Sequence, residues 1–258
     1  MTAEQHLLEQ DLKTLYLTTF RRNYRPFAED AAQSQQSYEH YLQALAAEEV
    51  AHRERNRQQR RIKEARFPVR KELVDFNFAA VPSLSQQQVV ALARGDYITQ
   101  AQPLILVGNP GLGKTHIATS LALAACRQGR RVRFYTAASL VNALIAAQDA
   151  HQLQKFLDAA LRYQLIVLDE LGFIPFTTTG AQLIFQFCAT LYERVALIIT
   201  TNLRFADWVQ VFGDERLTAA LLDRLTHHAH ILEFSGADSY RFRERLQREH
   251  PPANPEAT

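Results

Sequence analysis

The stretch "PLILVGNPGLGKTHIATSLA", residues 103–122, constrains the fold more than any other part of the chain. Its apolar start is short enough to be a buried strand, and residues 115–127 have helical period. Between them the backbone must stop one element, turn tightly and start the next, which glycine permits because it tolerates positive φ. The pattern G-x-x-x-x-G-K-T is met by Gly108, Gly113, Lys114 and Thr115. In a strand–loop–helix context that pattern is a phosphate-binding loop, with backbone N–H groups turned inward and a helix N-terminus at the same point.

The texture on either side supports a large sheet. Strands are expected at 103–107, 131–135, 165–169, 195–200 and 230–234, with helical segments such as 115–127 and 153–162 between them. Alternating apolar strands and helices predict an α/β fold, a parallel five-stranded sheet covered on both faces. The 258 residues, 47% of them hydrophobic, suffice for one large domain with an appendage.

A phosphate loop alone does not say what its nucleotide is used for. Lys114 is expected to reach the β and γ phosphates of ATP, and the Thr115 hydroxyl to ligate Mg²⁺. Gly108, Asn109, Pro110, Gly111, Leu112, Gly113, Lys114, Thr115 and His116 make up the expected nucleotide cradle. "LIVLDEL", 165–171, ends a buried strand on two acids. Asp169 is placed to hold Mg²⁺, and Glu170 suits a base that polarises an attacking water. Glu170 as a mere cap of the following turn is the alternative. The pair favours hydrolysis over small-molecule phosphorylation. "ALIITTN", 196–202, ends in Asn202, whose amide can orient the γ-phosphate and the water if this strand lies between the other two. Taken alone, Asn202 is a turn residue. Arg224 precedes the last strand and, in preference to Arg216, can reach a nucleotide in a neighbouring subunit. A salt bridge to Asp223 or Glu233 is its alternative. His227, His228 and His230 have no Cys or acid to complete a metal set, so they read as surface or strand-edge residues.

The first 75 or so residues contain no Gly and read as helix, with a break at Pro26 and "EDAAQSQQS". Tyr38, Tyr41, Leu42, Leu45, Ala46 and Val50 keep helical spacing. Net charge is only +2, but nine Lys or Arg and two Glu lie between Arg53 and Lys71. Like charges at helical spacing repel, and DNA phosphates would relieve them. Arg53, Arg55, Arg57, Arg60, Arg61, Lys63 and Arg66 are therefore candidate contacts to a duplex backbone, without sequence preference because no aromatic residue interleaves them. Pairing with acids on a partner protein, or simple solvation, are the alternatives. Cys126 and Cys188 lie in apolar stretches and read as reduced core residues. The N-terminus carries acids among its leucines, unlike a signal peptide, and no apolar run approaches the roughly 18 residues of a membrane span. A soluble cytoplasmic protein is expected, with no membrane partner.

With these motifs in order, the chain resembles the AAA+ ATPases. More closely, it resembles the IstB-like helper proteins of insertion-sequence transposition, relatives of the DnaC-type helicase loaders. The resemblance is carried by "RRIKEARFPVRKELVDFNF", "GNPGLGKTHIATSLA", "IVLDELGFIPF", "IITTN", "FGDERLTAALLDRLTHH" and "SYRFRERL", spanning about residues 40 to 248. It implies an all-α DNA-binding domain over 1–75, an AAA+ core over 76–248, and a polar, Pro-rich tail over 249–258 that is expected to be disordered. It implies ATP and Mg²⁺ as ligands, duplex DNA and a transposase as partners, and a homo-oligomer with ATP sites between subunits. Asn202 becomes a sensor amide and Arg224 an arginine finger. Arg241 becomes a second sensor, or, with Arg243 and Arg245, part of a solvated helix face. A helicase loader shares every motif. A DNA scaffold gated by nucleotide, with incidental turnover, is the reading from another class.

Overall fold

The computed structural model describes residues 2–173 and 175–236. Arg241 and the tail over 249–258 lie outside the described residues. The chain divides into two compact units, one ending at Arg60 and the other beginning at Arg61.

The N-terminal unit is helical. Helix α1 spans Ala3–Thr14 and opens on a reciprocal cap, in which the Thr2 hydroxyl accepts from Gln5 N–H and the Gln5 amide oxygen accepts from Thr2 N–H. Helix α2 spans Thr18–Gln33 and α3 spans Tyr38–Ala65. The break expected at Pro26 does not occur, because Pro26 lies inside α2. Proline's fixed φ is itself helical, so the helix loses one backbone hydrogen bond there without ending. The chain turns at Tyr16 and Gln35, which take φ of 56° and 49°, and Gln35 lies within the expected break "EDAAQSQQS", between the end of α2 and the start of α3. Nor does helix run on to residue 75. It stops at Ala65, and Arg66 adopts φ 58° just before the Phe67–Pro68 pair, where proline disfavours helix in the residue preceding it.

The expected apolar stripe of α3 is only partly buried. Leu45 is enclosed, while Tyr38, Leu42 and Val50 face out, and the residue buried one turn beyond Leu45 is Glu49. Its Oε2 accepts the Thr19 N–H at 2.9 Å and its Oε1 accepts from Arg53 Nε at 2.7 Å. Arg53 also donates to the Tyr16 carbonyl at 3.0 Å. Burial pushes the Glu49 carboxyl up, but the bonds from Arg53 and Thr19 outweigh it and hold the group below the ordinary glutamate range. A polar clamp thus ties the α1–α2 turn to α3 where a leucine would have served a plain bundle.

The second unit opens with the end of α3 and two short helices, α4 (Gln86–Leu92) and α5 (Asp96–Thr99). Then follow β1 (Leu104–Gly108), α6 (Lys114–Arg127), β2 (Val132–Thr136), α7 (Ala137–Asp149), α8 (Leu153–Ala160) and β3 (Leu165–Asp169). The remainder is α9 (Thr178–Leu191), β4 (Ala196–Thr201), α10 (Val209–Phe212), α11 (Glu215–Thr226) and β5 (His230–Phe234). All five strands are parallel, in the order β2-β3-β4-β1-β5. Each lies within one residue of its expected span, because buried parallel strands are continuous apolar runs.

Alternate strand residues feed two cores. Leu104, Leu106, Val132, Val167 and Ile198 pack with α6 on one face. Ile105, Ile166, Leu168, Leu197 and Ile199 pack with α7, α9 and α11 on the other. Both cysteines are buried, Cys126 in the first core and Cys188 in the second, and burial pushes both thiols up to about 12. Among the described residues, no helix is long and apolar enough to cross a membrane.

Candidate functional site

The phosphate loop bridges the C-terminal end of β1 and the first turn of α6. Gly108 takes φ 146°, and a Cβ there would stand 2.0 Å from the Phe234 carbonyl oxygen, so β5 and the loop leave room for glycine alone. Gly113 takes φ 90°, and a Cβ there would meet the Phe76 ring at 2.6 Å. Phe76 belongs to the segment after α3, which is laid along α6. The Glu72 carbonyl lies 2.8 Å from His116 Nε2, the Lys71 carbonyl accepts from Ser120, and Glu72 pairs with Arg127.

A cleft of about 470 Å³ opens over the loop. Pro110, Gly111, Gly113, Lys114, Thr115 and His116 line it from the loop side, and Glu170, Thr200, Thr201 and Asn202 from the strand ends. Pro68, Val69 and Lys71 close its outer edge. Lys114 is largely buried, and its Nζ donates to the carbonyls of Gly108 at 2.6 Å and Asn109 at 2.8 Å. The ammonium is held inside the arch of its own loop. Leu112 turns the other way and is buried in the core.

A chain of hydroxyls fixes the acidic end of β3. Asp169 Oδ1 accepts from Thr115 Oγ1 at 2.9 Å and from Thr200 Oγ1 at 2.6 Å. Thr200 Oγ1 accepts in turn from the Glu170 N–H at 2.9 Å. The Thr200 hydroxyl both donates and accepts, and so it ties Asp169 and Glu170 to β4. Glu170 itself takes φ 60°, a left-handed conformation that costs a glutamate roughly 1–3 kcal/mol. This turn carries the exposed Glu170 carboxylate to the cleft while Asp169 stays buried beneath it. The motif order does not single out Thr200 as a fixing group. A hydroxyl ending the strand beside an acidic strand is the available signal.

Residues 10–248 match the family of IstB-like ATP binding proteins. The chain belongs to that family. An IstB-like relative from Geobacillus stearothermophilus, named as an ATP-binding protein of insertion sequence IS5376, is 34% identical over 91% of this chain and 94% of its own. One from Pseudomonas aeruginosa, named for insertion sequence IS21, is 33% identical over 93% of this chain and 90% of its own. Among solved structures, the AMPPCP-bound DnaA of Aquifex aeolicus superposes with TM-score 0.55 at 18% identity, covering 72% of this chain and 57% of that one. DnaI superposes with TM-score 0.55 at 15% identity, covering 64% and 92%. These likenesses give the fold alone, an α/β core on a parallel five-stranded sheet, in which β4 lies between β1 and β3.

The other expected site residues of this IstB-like chain lie elsewhere. Arg224 is on α11, donating to the Ala220 carbonyl at 2.7 Å with its guanidinium 5.2 Å from the Phe185 ring centroid. It lines a hollow of about 260 Å³ with Pro103 and Val195, at the strand ends remote from the phosphate loop. His227 meets the Tyr192 hydroxyl at 3.0 Å and His230 meets Gln102 at 3.0 Å. Of the basic segment, Arg53, Arg55, Arg57 and Arg60 belong to the N-terminal unit. Three of them pair with acids of their own helix: Arg53 with Glu49, Arg55 with Glu48 and Arg57 with Glu54. Acids upstream of the counted run thus relieve part of the expected repulsion. In the second unit, Arg61 lies against Gly129, while Lys63 and Arg66 are exposed.

Proposed function

We propose that this IstB-like protein hydrolyses ATP and uses the bound nucleotide to assemble on duplex DNA, where it presents a target to a transposase. The observation that carries the reading is the hydroxyl–carboxylate chain Thr115–Asp169–Thr200–Glu170 at the rim of the phosphate-loop cleft. The relatives' names, which tie ATP binding to insertion sequences, support the transposition context.

The donor set suits magnesium. Thr115 donates its hydrogen bond to Asp169, which leaves the hydroxyl oxygen's lone pairs available beside a carboxylate, and Mg²⁺ takes hard oxygen ligands. Bound there, Mg²⁺ would offset phosphate charge. The Lys114 ammonium would leave the Gly108 and Asn109 carbonyls for the β and γ phosphates of ATP. Glu170 would take the proton of the attacking water, and the Asn202 amide would orient that water against the γ-phosphate.

Arg224 lies outside its own subunit's cleft, which supports a role at a neighbour's nucleotide in a homo-oligomer. Arg224→Ala is expected to lose DNA-stimulated hydrolysis and still bind ATP. Mixing it with Lys114→Ala subunits should recover part of the activity. Two folded, co-assembling variants that give no recovery at any ratio would rule the intersubunit role out.

The DNA reading is tested on the basic segment. Replacing Arg57, Arg60 and Arg61 with Ala should weaken binding equally on unrelated duplexes. The dependence of log affinity on log salt should flatten by up to about 0.9 for each phosphate no longer neutralised. Nucleotide affinity should hold. If the wild-type salt slope persists, the segment serves a partner protein instead. Wild-type binding should also be stronger with a non-hydrolysable ATP analogue than without nucleotide.

A further inference from the structure

We infer that the N-terminal unit holds the DNA backbone in a two-walled groove, and that Arg21 and Arg22 of α2 supply the wall that the basic segment of α3 lacks. The inference rests on the DNA-binding reading above and adds residues outside that segment.

Two hollows meet at the α1–α2 turn. One, of about 470 Å³, is lined by Thr18, His52, Asn56, Arg57 and Arg60 among others. The second, of about 350 Å³, is lined by Thr18, Thr19, Arg21, Arg22 and His52. They share Thr18 and His52, so they adjoin, and α2 and α3 border the groove that they make within this unit. Its side chains are almost all N–H or O–H donors. Its single carboxylate, Glu49, is buried and already occupied by Arg53 and the Thr19 N–H.

Charge picks out the α2 wall. Arg53, Arg55 and Arg57 are each held by a glutamate of their own helix. Arg21 and Arg22 are adjacent and exposed, and among the described residues their guanidinium groups make no ion pair or side-chain hydrogen bond. A phosphate arriving at Arg21 or Arg22 displaces water and counterions and breaks no existing pair, so its gain is not offset by a lost one. Of the unit's acids, Glu29 and Asp30 lie at the other end of α2 and Glu39 in the first turn of α3. Glu9, Glu48, Glu49 and Glu54 are already paired with Arg25, Arg55, Arg53 and Arg57, and Glu4 and Asp11 of α1 line neither hollow.

The lining also selects the class of partner. A protein partner would want an apolar centre inside a polar rim. Here Tyr16 is the one large apolar side chain at the groove, and it is 80% exposed at its edge. Arginine, threonine, asparagine and histidine without aliphatic neighbours are the inventory of backbone contacts to nucleic acid, which position a duplex without reading its bases.

The test uses the full chain carrying Arg21→Ala and Arg22→Ala together. Both side chains are exposed, and unchanged helical content by circular dichroism, with an unchanged melting transition, serves as the check that the N-terminal unit is folded. Duplexes of unrelated sequence are titrated across a salt series with a non-hydrolysable ATP analogue, beside wild type and the Arg57, Arg60, Arg61 variant. We expect weaker binding on every duplex and a salt slope flattened by up to about 1.8, two phosphates at about 0.9 each. Arg21→Lys with Arg22→Lys should restore most of the slope, since phosphate accepts a point charge. A wild-type slope in the alanine variant, with the α3 variant flattened, overturns the second wall and leaves the DNA reading standing. Weaker binding at unchanged slope also overturns it, because the groove then holds something other than phosphates. Salt-insensitive duplex binding by the wild type brings down both readings.

Discussion

Lys114→Ala is expected to abolish measurable ATP binding, and with it any assembly that depends on nucleotide. The ammonium is the one cation that the cleft places inside the phosphate loop, and it is largely buried. Removing one partner from a buried charge pair costs about 3–5 kcal/mol, or roughly 10²–10⁴-fold in affinity. Without ligand, Lys114 also bridges the Gly108 and Asn109 carbonyls, so its removal slackens the loop before any phosphate arrives. Both effects weaken binding. Titration with a fluorescent nucleotide measures the outcome directly, and an affinity equal to wild type would refute the phosphate-loop assignment.

Glu170→Gln is expected to leave ATP affinity near wild type and to slow turnover by roughly 10²-fold or more. The substitution is unusually clean. Glutamine keeps the length and the Cβ, so the φ of 60° and the bond from the 170 N–H to Thr200 need not change. Only the charge that accepts a proton is removed. Complexes with DNA should then outlast those of the wild type in the presence of ATP. Phosphate release in single-turnover mixing is the measurement, and normal turnover would move the base to another residue.

Much of the core was legible in the sequence because its signals are local. The inner strands β3 and β4 are runs such as "LIVLD" and "ALIIT", buried along their whole length and polar only at their C-terminal ends. The edge strands β2 and β5 mix polar residues with apolar ones. The phosphate loop was legible for the same reason, since glycine spacing encodes the turn itself. What was not legible depends on partners distant in the chain. The bonds from Thr115 and Thr200 to Asp169 join residues from α6, β4 and β3, and the left-handed Glu170 is held to β4 by its own bond to Thr200. In the N-terminal unit, Tyr38, Tyr41, Leu42, Leu45, Ala46 and Val50 keep helical spacing, but of these only Leu45 is fully buried. Glu49 is buried one turn on, because a carboxylate that answers a free helix N–H and an arginine can replace an apolar side chain. Pro26 misled for a simpler reason: its ring disfavours a helix but does not forbid one.

The strand order has a consequence for how the protein is made. The strand that carries the phosphate loop, β1, is hydrogen-bonded on one side to β4 and on the other to β5, and both are synthesised after it. Gly108 is shaped to fit against Phe234, the last residue of β5. At about 5–20 residues per second, the ribosome releases that final flank on the order of ten seconds after the loop itself. Throughout that interval the arginine-rich helix α3 has already left the exit tunnel, while the loop that is to hold the nucleotide lacks a wall. Each new molecule therefore has its arginine-rich helix first and a complete flank for its phosphate loop last.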